Sequence, residues 1–273
     1  MKGSIGVFDS GYGGLTVLKE IVKKLPAYSF LYLGDNARAP YGSRSFDTVH
    51  QYTLQCVEWF FNQGCSLVIL ACNTASAKAL RTIQQKDLPL IAPSKRVLGV
   101  IRPTTEVIGS YTQTNKVGIV GTSGTVSSGS YPIEIAKFYP TIKVFQEACP
   151  MWVPLIENNE YNNPGGDYFV QHHLKNLLNQ DADIDTLLLA CTHYPLLIEQ
   201  LKKFTPAHIK IVSQGDIVAK SLVDYLKRHP TMEEQCLKEG TIDFYTTDST
   251  IDFNNKATIF WGDKVHSKHA DIS

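Results

Sequence analysis

Two cysteines are set apart by their context. Cys72 closes the run Leu67-Val68-Ile69-Leu70-Ala71 and leads into Asn73-Thr74; Cys191 closes Thr186-Leu187-Leu188-Leu189-Ala190 and leads into Thr192-His193. A cysteine ending an apolar strand is ordinarily a small buried residue. Two in matching contexts, each entering polar residues, suit a reaction that needs a pair of equivalent groups. Inverting a carbon beside a carboxylate is such a reaction. Its hydrogen is weakly acidic, so a base must work on one face and an acid on the other, and equivalent groups exchange parts when the direction reverses. A thiolate serves as the base if its pKa falls from about 8.5 towards neutrality through nearby donors or positive charge. Helix N-termini supply such donors. Helices are predicted over residues 74–86 and 195–203, with Pro195 suited to a first turn. His193 is placed to relay a proton or tune Cys191. Asp9, closing the first apolar run, is a candidate to do the same at Cys72 or to hold a substrate ammonium. Asn73, Thr74 and Thr192 offer amide, hydroxyl and backbone donors for a carboxylate. Of the other thiols, Cys56 falls on an apolar helix face, Cys65 and Cys149 read as structural, and Cys236 reads as a surface or tail residue. The remaining histidines read as surface or helix residues.

These side chains need elements to hold them. Short apolar runs at 5–8, 30–33, 67–71, 116–120, 186–190 and 209–212, with a further one around 244–246, read as strands. Amphipathic runs at 15–25, 46–63, 74–86, 195–203 and 217–227 read as helices. Alternating strands and helices predict an α/β fold whose mainly parallel sheets are covered on both faces. The pattern begins twice. Ile5-Gly6-Val7-Phe8-Asp9-Ser10-Gly11 resembles Val117-Gly118-Ile119-Val120-Gly121-Thr122-Ser123, and the two cysteine runs resemble each other in the same order. Two similar domains are therefore expected, one over 1–94 plus 210–273 and one over 95–209. Ligands bind beyond the carboxyl ends of such strands. That is where Asp9-Ser10, Cys72-Asn73-Thr74, Thr122 with Thr125, and Cys191-Thr192-His193 all lie, so an interdomain cleft with a thiol on each wall is expected. The turn Gly11-Tyr12-Gly13-Gly14 has Thr16 where a dinucleotide fingerprint needs glycine, and reads as a tight turn feeding a helix.

Composition narrows the alternatives. The formal net charge is +0, a poor match to nucleic acid, which calls for a basic face. With 43% hydrophobic and 19% charged residues, the chain is too apolar for disorder. No apolar run approaches the roughly 18 residues that span a bilayer, and the first residues reach Asp9 too early for a signal peptide. The six cysteines contain no C-x-x-C pair, which disfavours a zinc site or a thiol redox protein and fits reduced thiols in the cytoplasm. A two-lobed small-molecule binding protein shares the architecture but has no use for opposed thiols.

Taken together, the motifs resemble the glutamate racemases, cofactor-independent members of the aspartate/glutamate racemase superfamily. The matching blocks are Phe8-Asp9-Ser10-Gly11-Tyr12-Gly13-Gly14-Leu15, Gly34-Asp35-Asn36 with Pro40-Tyr41-Gly42, Ala71-Cys72-Asn73-Thr74-Ala75-Ser76, Gly121-Thr122 with Thr125, Cys149-Pro150 through Glu157, Ala190-Cys191-Thr192-His193-Tyr194-Pro195-Leu196 and Phe244-Tyr245-Thr246-Thr247-Asp248. They cover nearly the whole chain in the family's order. The resemblance implies an isomerase that interconverts L- and D-glutamate and supplies D-glutamate for peptidoglycan. Cys191 would remove the α-proton from the L form and Cys72 from the D form, with Asp9 and His193 assisting and Glu157 an acid on the His193 side. Ser10, Pro40, Tyr41, Gly42, Asn73, Thr74, Thr122, Thr125 and Thr192 match substrate-binding positions. The family needs neither pyridoxal phosphate nor metal, acts in the cytoplasm, and commonly forms homodimers. An aspartate or hydantoin racemase of the same superfamily is the alternative. Residues 92–102, the Asn-rich stretch 158–166 and the tail 264–273 depart from the pattern.

Overall fold

The buried apolar runs become the strands of two all-parallel sheets flanked by helices, in a computed structural model that describes residues 2–272. Met1 and Ser273, the ends of the expected first domain, lie outside the described residues. The first sheet holds β1 (Ile5–Asp9), β2 (Phe30–Gly34), β3 (Leu67–Leu70), β4 (Arg96–Gly99), β9 (Ile242–Thr246) and β10 (Ser267–His269), in the order β10-β9-β2-β1-β3-β4. The second holds β5 (Lys116–Gly121), β6 (Lys143–Ala148), β7 (Thr186–Ala190) and β8 (Lys210–Val212), in the order β6-β5-β7-β8. This is the expected α/β class. Strands β1, β2, β3 and β7 are buried along their whole length, as strands covered on both faces must be.

The strands missing from the sequence reading sit at edges. β4, β6 and β10 each pair on one side only, so their faces are half wet and their sequences mixed. β4 lies inside the stretch that departs from the family pattern. The expected boundaries at 94/95 and 209/210 fall beside two edge strands, β4 and β8. β4 pairs with β3, Leu67 opposite Arg96, in the first sheet. β8 pairs with β7, Thr186 opposite Lys210, in the second. The chain therefore crosses between sheets after Gly99 and again after Val212. From there the helix Gly215–Arg228 returns to the first half, packing on the helix Gly14–Lys24 with a Lys24–Asp216 ion pair at 3.1 Å.

Two helices differ in form from the periodicity reading. The segment after Cys72 runs as Asn73–Lys78 and Leu80–Thr82, widens to a π turn at Ile83–Asp87, and ends as Leu88–Ile91. Pro89 has no N–H for the Gln85 carbonyl, and the wider turn falls just before it. The segment after Cys191 starts as a 3-10 turn, Tyr194–Leu197, before the helix Ile198–Phe204. Within the Asn-rich stretch, Asn163 caps the helix Pro164–Leu178 by accepting the Gly166 N–H. Cys236 is 2% exposed, not a surface residue; its backbone forms an isolated parallel bridge with Gly3. Among the described residues, no helix is long and apolar enough to cross a membrane.

Candidate active site

β1 and β3 are neighbours at the centre of the first sheet, and β5 and β7 at the centre of the second. Because all strands in a sheet run the same way, the exit loops carrying Asp9-Ser10 and Cys72-Asn73-Thr74 lie side by side, and so do those carrying Thr122 and Cys191-Thr192-His193. The two pairs of loops meet across the join between the sheets.

Cys72 is the N-cap of the helix Asn73–Lys78. Its Sγ accepts the Ala75 N–H at 3.5 Å and lies 3.4 Å from Ser10 Oγ. The side chain is buried, and burial pushes its pKa up to about 12; the Asp9 carboxylate adds to the rise, and the Ser10 and Ala75 donors oppose it. Cys72 is therefore a thiol at neutral pH.

On the other wall, Cys191 Sγ lies 3.9 Å from His193 Nδ1, and His193 Nε2 lies 2.8 Å from Glu157 Oε1. The ring is 5% exposed and meets Phe260 edge-on, with centroids 5.1 Å apart. Burial pushes the imidazolium down, but Cys191 and Glu157 outweigh it and raise His193 to about 10. Cys191, His193 and Glu157 thus form a line of three acid/base groups, with the ring between the sulfur and the carboxylate. Replacing Glu157 with Gln removes one of the two groups that raise His193. The expected result is an alkaline loss of kcat/KM that begins at lower pH than in the wild type, read from a pH–rate profile. The stability linkage has the matching sign. The ion pair contributes fully below the unfolded value of 6.5, and its contribution fades as pH rises through about 10. An unchanged alkaline limb would remove Glu157 from this role.

Asp9 is 1% exposed. Its Oδ2 accepts the Gly11 N–H at 3.0 Å, and its Oδ1 accepts Thr192 Oγ1–H at 3.3 Å. Burial raises its pKa, although His193 and these donors pull the other way. Asp9 thus reaches across to the Cys191 wall, while the hydroxyl on Cys72 is that of Ser10. Thr74, Thr122 and Thr125 form a triangle of hydroxyls at 2.9, 3.4 and 3.1 Å, joining the two halves beside Cys72. A second seam runs from the Gly42 carbonyl to the Gly124 N–H at 2.7 Å.

Two expected substrate-binding side chains are engaged elsewhere. Tyr41 is 1% exposed and donates to Asp35, which also pairs with Arg38 at 2.7 Å. It brings the backbone of Pro40-Tyr41-Gly42 to the site and keeps its phenol away. The Asn73 amide is also taken: Nδ2 donates to Gln214 Oε1 at 2.8 Å, and Oδ1 accepts Tyr131 OH at 2.6 Å. That leaves its backbone N–H for a ligand. The sequence reading missed Gln214 and Tyr131. Gln214 lies just beyond β8, at a strand's carboxyl end, and the strand-exit rule applied there would have found it. The reading also missed Gly13. A Cβ on Gly13 would stand 2.3 Å from Thr192 Oγ1 and 2.4 Å from His193 Nδ1, so a residue without a side chain is required by close approach. Thr16 Oγ1 then fixes the same loop by donating to the Thr192 carbonyl at 2.9 Å.

Chemically, the site brings together one buried cysteine from each half, a histidine raised to about 10 beside one of them, and a cluster of hydroxyl donors at the join. Among the described residues, no group of three or more His, Cys, Asp or Glu side chains is arranged to hold a metal ion. The sequence profile of the Asp/Glu/Hydantoin racemase family matches residues 5–222. The glutamate racemase of Persephonella marina is 36% identical over 271 residues, which make up 99% of this chain and 98% of that protein. The structure of a glutamate racemase from Bacillus anthracis superposes with a TM-score of 0.89 at 33% identity, covering 99% of this chain and 98% of the other. That of the Francisella tularensis glutamate racemase, in complex with D-glutamate, superposes at 0.87 with 29% identity, covering 99% and 98%. With similarity running from the first strand to the last helices and both thiol loops inside the matched span, the chain belongs to the Asp/Glu/Hydantoin racemase family.

Proposed function

We propose that this chain is a glutamate racemase that interconverts L- and D-glutamate with Cys72 and Cys191 as its two acid/base residues. The observation that carries this reading is the pair of buried thiols at matching strand exits, one from each sheet, with hydroxyl groups of both halves bonded to one another beside them. L-Glutamate loses its α-proton to Cys191, and Cys72, held as a thiol by burial, delivers a proton to the opposite face. The reverse direction exchanges the parts. After one L-to-D turnover Cys191 is a thiol and Cys72 a thiolate; Cys72 takes up a proton from solvent and Cys191 releases one, helped by the His193 imidazolium that stabilises its thiolate.

Binding follows from the donors present. The Thr74, Thr122 and Thr125 hydroxyls satisfy one another and can turn to a carboxylate without leaving an orphaned donor. The backbone of Ser10, Asn73 and Thr192 supplies further N–H groups, the Pro40-Tyr41-Gly42 backbone borders the space, and Asp9 faces the ammonium. Local donors can hold a small dianion in a chain of zero net charge. The reading extends to two domains, about 2–99 plus 213–272 and about 100–212, one around each sheet. It also extends to D-glutamate supply for peptidoglycan in the cytoplasm, which suits six cysteines that are all free. A homodimer follows from the family resemblance.

The test is turnover of each enantiomer of glutamate and of aspartate in deuterium oxide, followed by circular dichroism and mass spectrometry. Glutamate is expected to racemise and the product to carry one deuteron at the α-carbon, since both thiols exchange with solvent. Racemisation of aspartate alone would overturn the substrate assignment, and product without deuterium would overturn the two-thiol route.

A further inference from the structure

We propose that Gln214 is a positioning residue that ties both chain crossings between the sheets to the helix start carrying Cys72. The proposal rests on the reading of Cys72 as an acid/base residue. Gln214 is 4% exposed and lies at the second crossing, between β8 and the helix Gly215–Arg228. Its Nε2 reaches the Val100 carbonyl at 3.3 Å, at the first crossing, and Thr104 Oγ1 at 2.9 Å in the helix that follows. The same nitrogen donates to Tyr131 OH at 2.7 Å, on a helix of the second half. Its Oε1 accepts from Asn73, the residue after Cys72, at 2.8 Å.

Three of these groups close a ring. Asn73 Nδ2 donates to Gln214, Gln214 donates to Tyr131, and Tyr131 donates back to Asn73 Oδ1. The Val100 carbonyl can only accept, so it fixes the orientation of the Gln214 amide and with it the direction of the ring. A buried ring of this kind holds its groups more firmly than separate bonds, because any shift leaves a donor or acceptor unpaired. A change in the relative position of the sheets bends the chain at Val100 and Gln214. The ring passes that change to Asn73, and through it to the helix turn whose Ala75 N–H holds the Cys72 sulfur. Among the described residues Cys191 Sγ makes its side-chain hydrogen bond to His193 and none to the ring, so the ring's bonds hold the Cys72 side.

Gln214→Leu keeps the bulk and removes the amide. In the full-length protein, iodoacetamide alkylation of each cysteine is followed by peptide mass spectrometry alongside kcat and KM. The expected result is a Cys72 alkylation rate that rises about tenfold relative to Cys191, with kcat falling about tenfold and KM moving less, as a displaced acid/base group requires. Tyr131→Phe removes one oxygen and is expected to shift the Cys72-to-Cys191 ratio the same way by a smaller factor. It carries the test if Gln214→Leu does not fold. A wild-type ratio in the folded variants overturns the proposal, and so does an equal rise at both thiols, which is general loosening. If the wild type does not racemise glutamate, the functional reading fails, and the alkylation ratio still decides the positioning role.

Discussion

Replacing Cys72 with alanine is expected to abolish interconversion of the glutamate enantiomers, and replacing Cys191 is expected to do the same. Positioned acid/base groups contribute about 10²- to 10⁴-fold to rate. In the proposed scheme each thiol is the group that exchanges a proton with the α-carbon on its face, so a loss of at least about 10³-fold is expected in both directions. The fold should survive. Each cysteine is 6% exposed, and truncation leaves a void of one sulfur, a cost on the order of 1–2 kcal/mol. Circular dichroism of the protein should therefore be unchanged and its melting point lower by a few degrees. Substantial racemisation by either variant would sink the two-base mechanism, because one face would then have no proton donor or acceptor in the scheme.

The second large effect is expected from a residue with no functional group. Gly13→Ala places a methyl 2.4 Å from His193 Nδ1 and 2.3 Å from Thr192 Oγ1, distances at which something must move. Overpacking of this sort costs about 1–3 kcal/mol. The group pushed aside is the imidazole between Cys191 and Glu157, and a displacement of about 1 Å there costs on the order of 10²-fold in rate. The expected outcome is a loss of kcat near that size together with a lowered melting temperature. Gly11→Ala is the control: its nearest neighbour, Glu157 Oε1, would lie at 3.6 Å, an ordinary contact, so activity should stay within a few-fold of wild type. If both variants retain full activity, the position of His193 is not critical and its proposed role beside Cys191 falls.

Much of this architecture was legible along the chain. β1, β2, β3, β5 and β7 are covered on both faces, and such burial writes itself as unbroken apolar runs. The exit residues Asp9, Cys72, Thr122 and Cys191 then followed from one rule about parallel sheets. β4, β6 and β10 were not legible, because an edge strand mixes wet and dry faces and leaves no clean period. β4, which pairs in the first sheet, was therefore not seen to precede the passage of the chain to the second sheet.

By itself, the sequence determined the α/β class, the doubling, and which backbone positions gather at the strand ends, because these follow from local burial and chain order. Only the tertiary structure decided where the side chains at those positions point. Tyr41 turns to Asp35, Asn73 turns to Gln214 and Tyr131, and Asp9 reaches Thr192. The physical reason is the same in each case: a buried polar group must find a partner, and for Asn73 and Asp9 that partner lies far along the chain, at a distance no local pattern encodes.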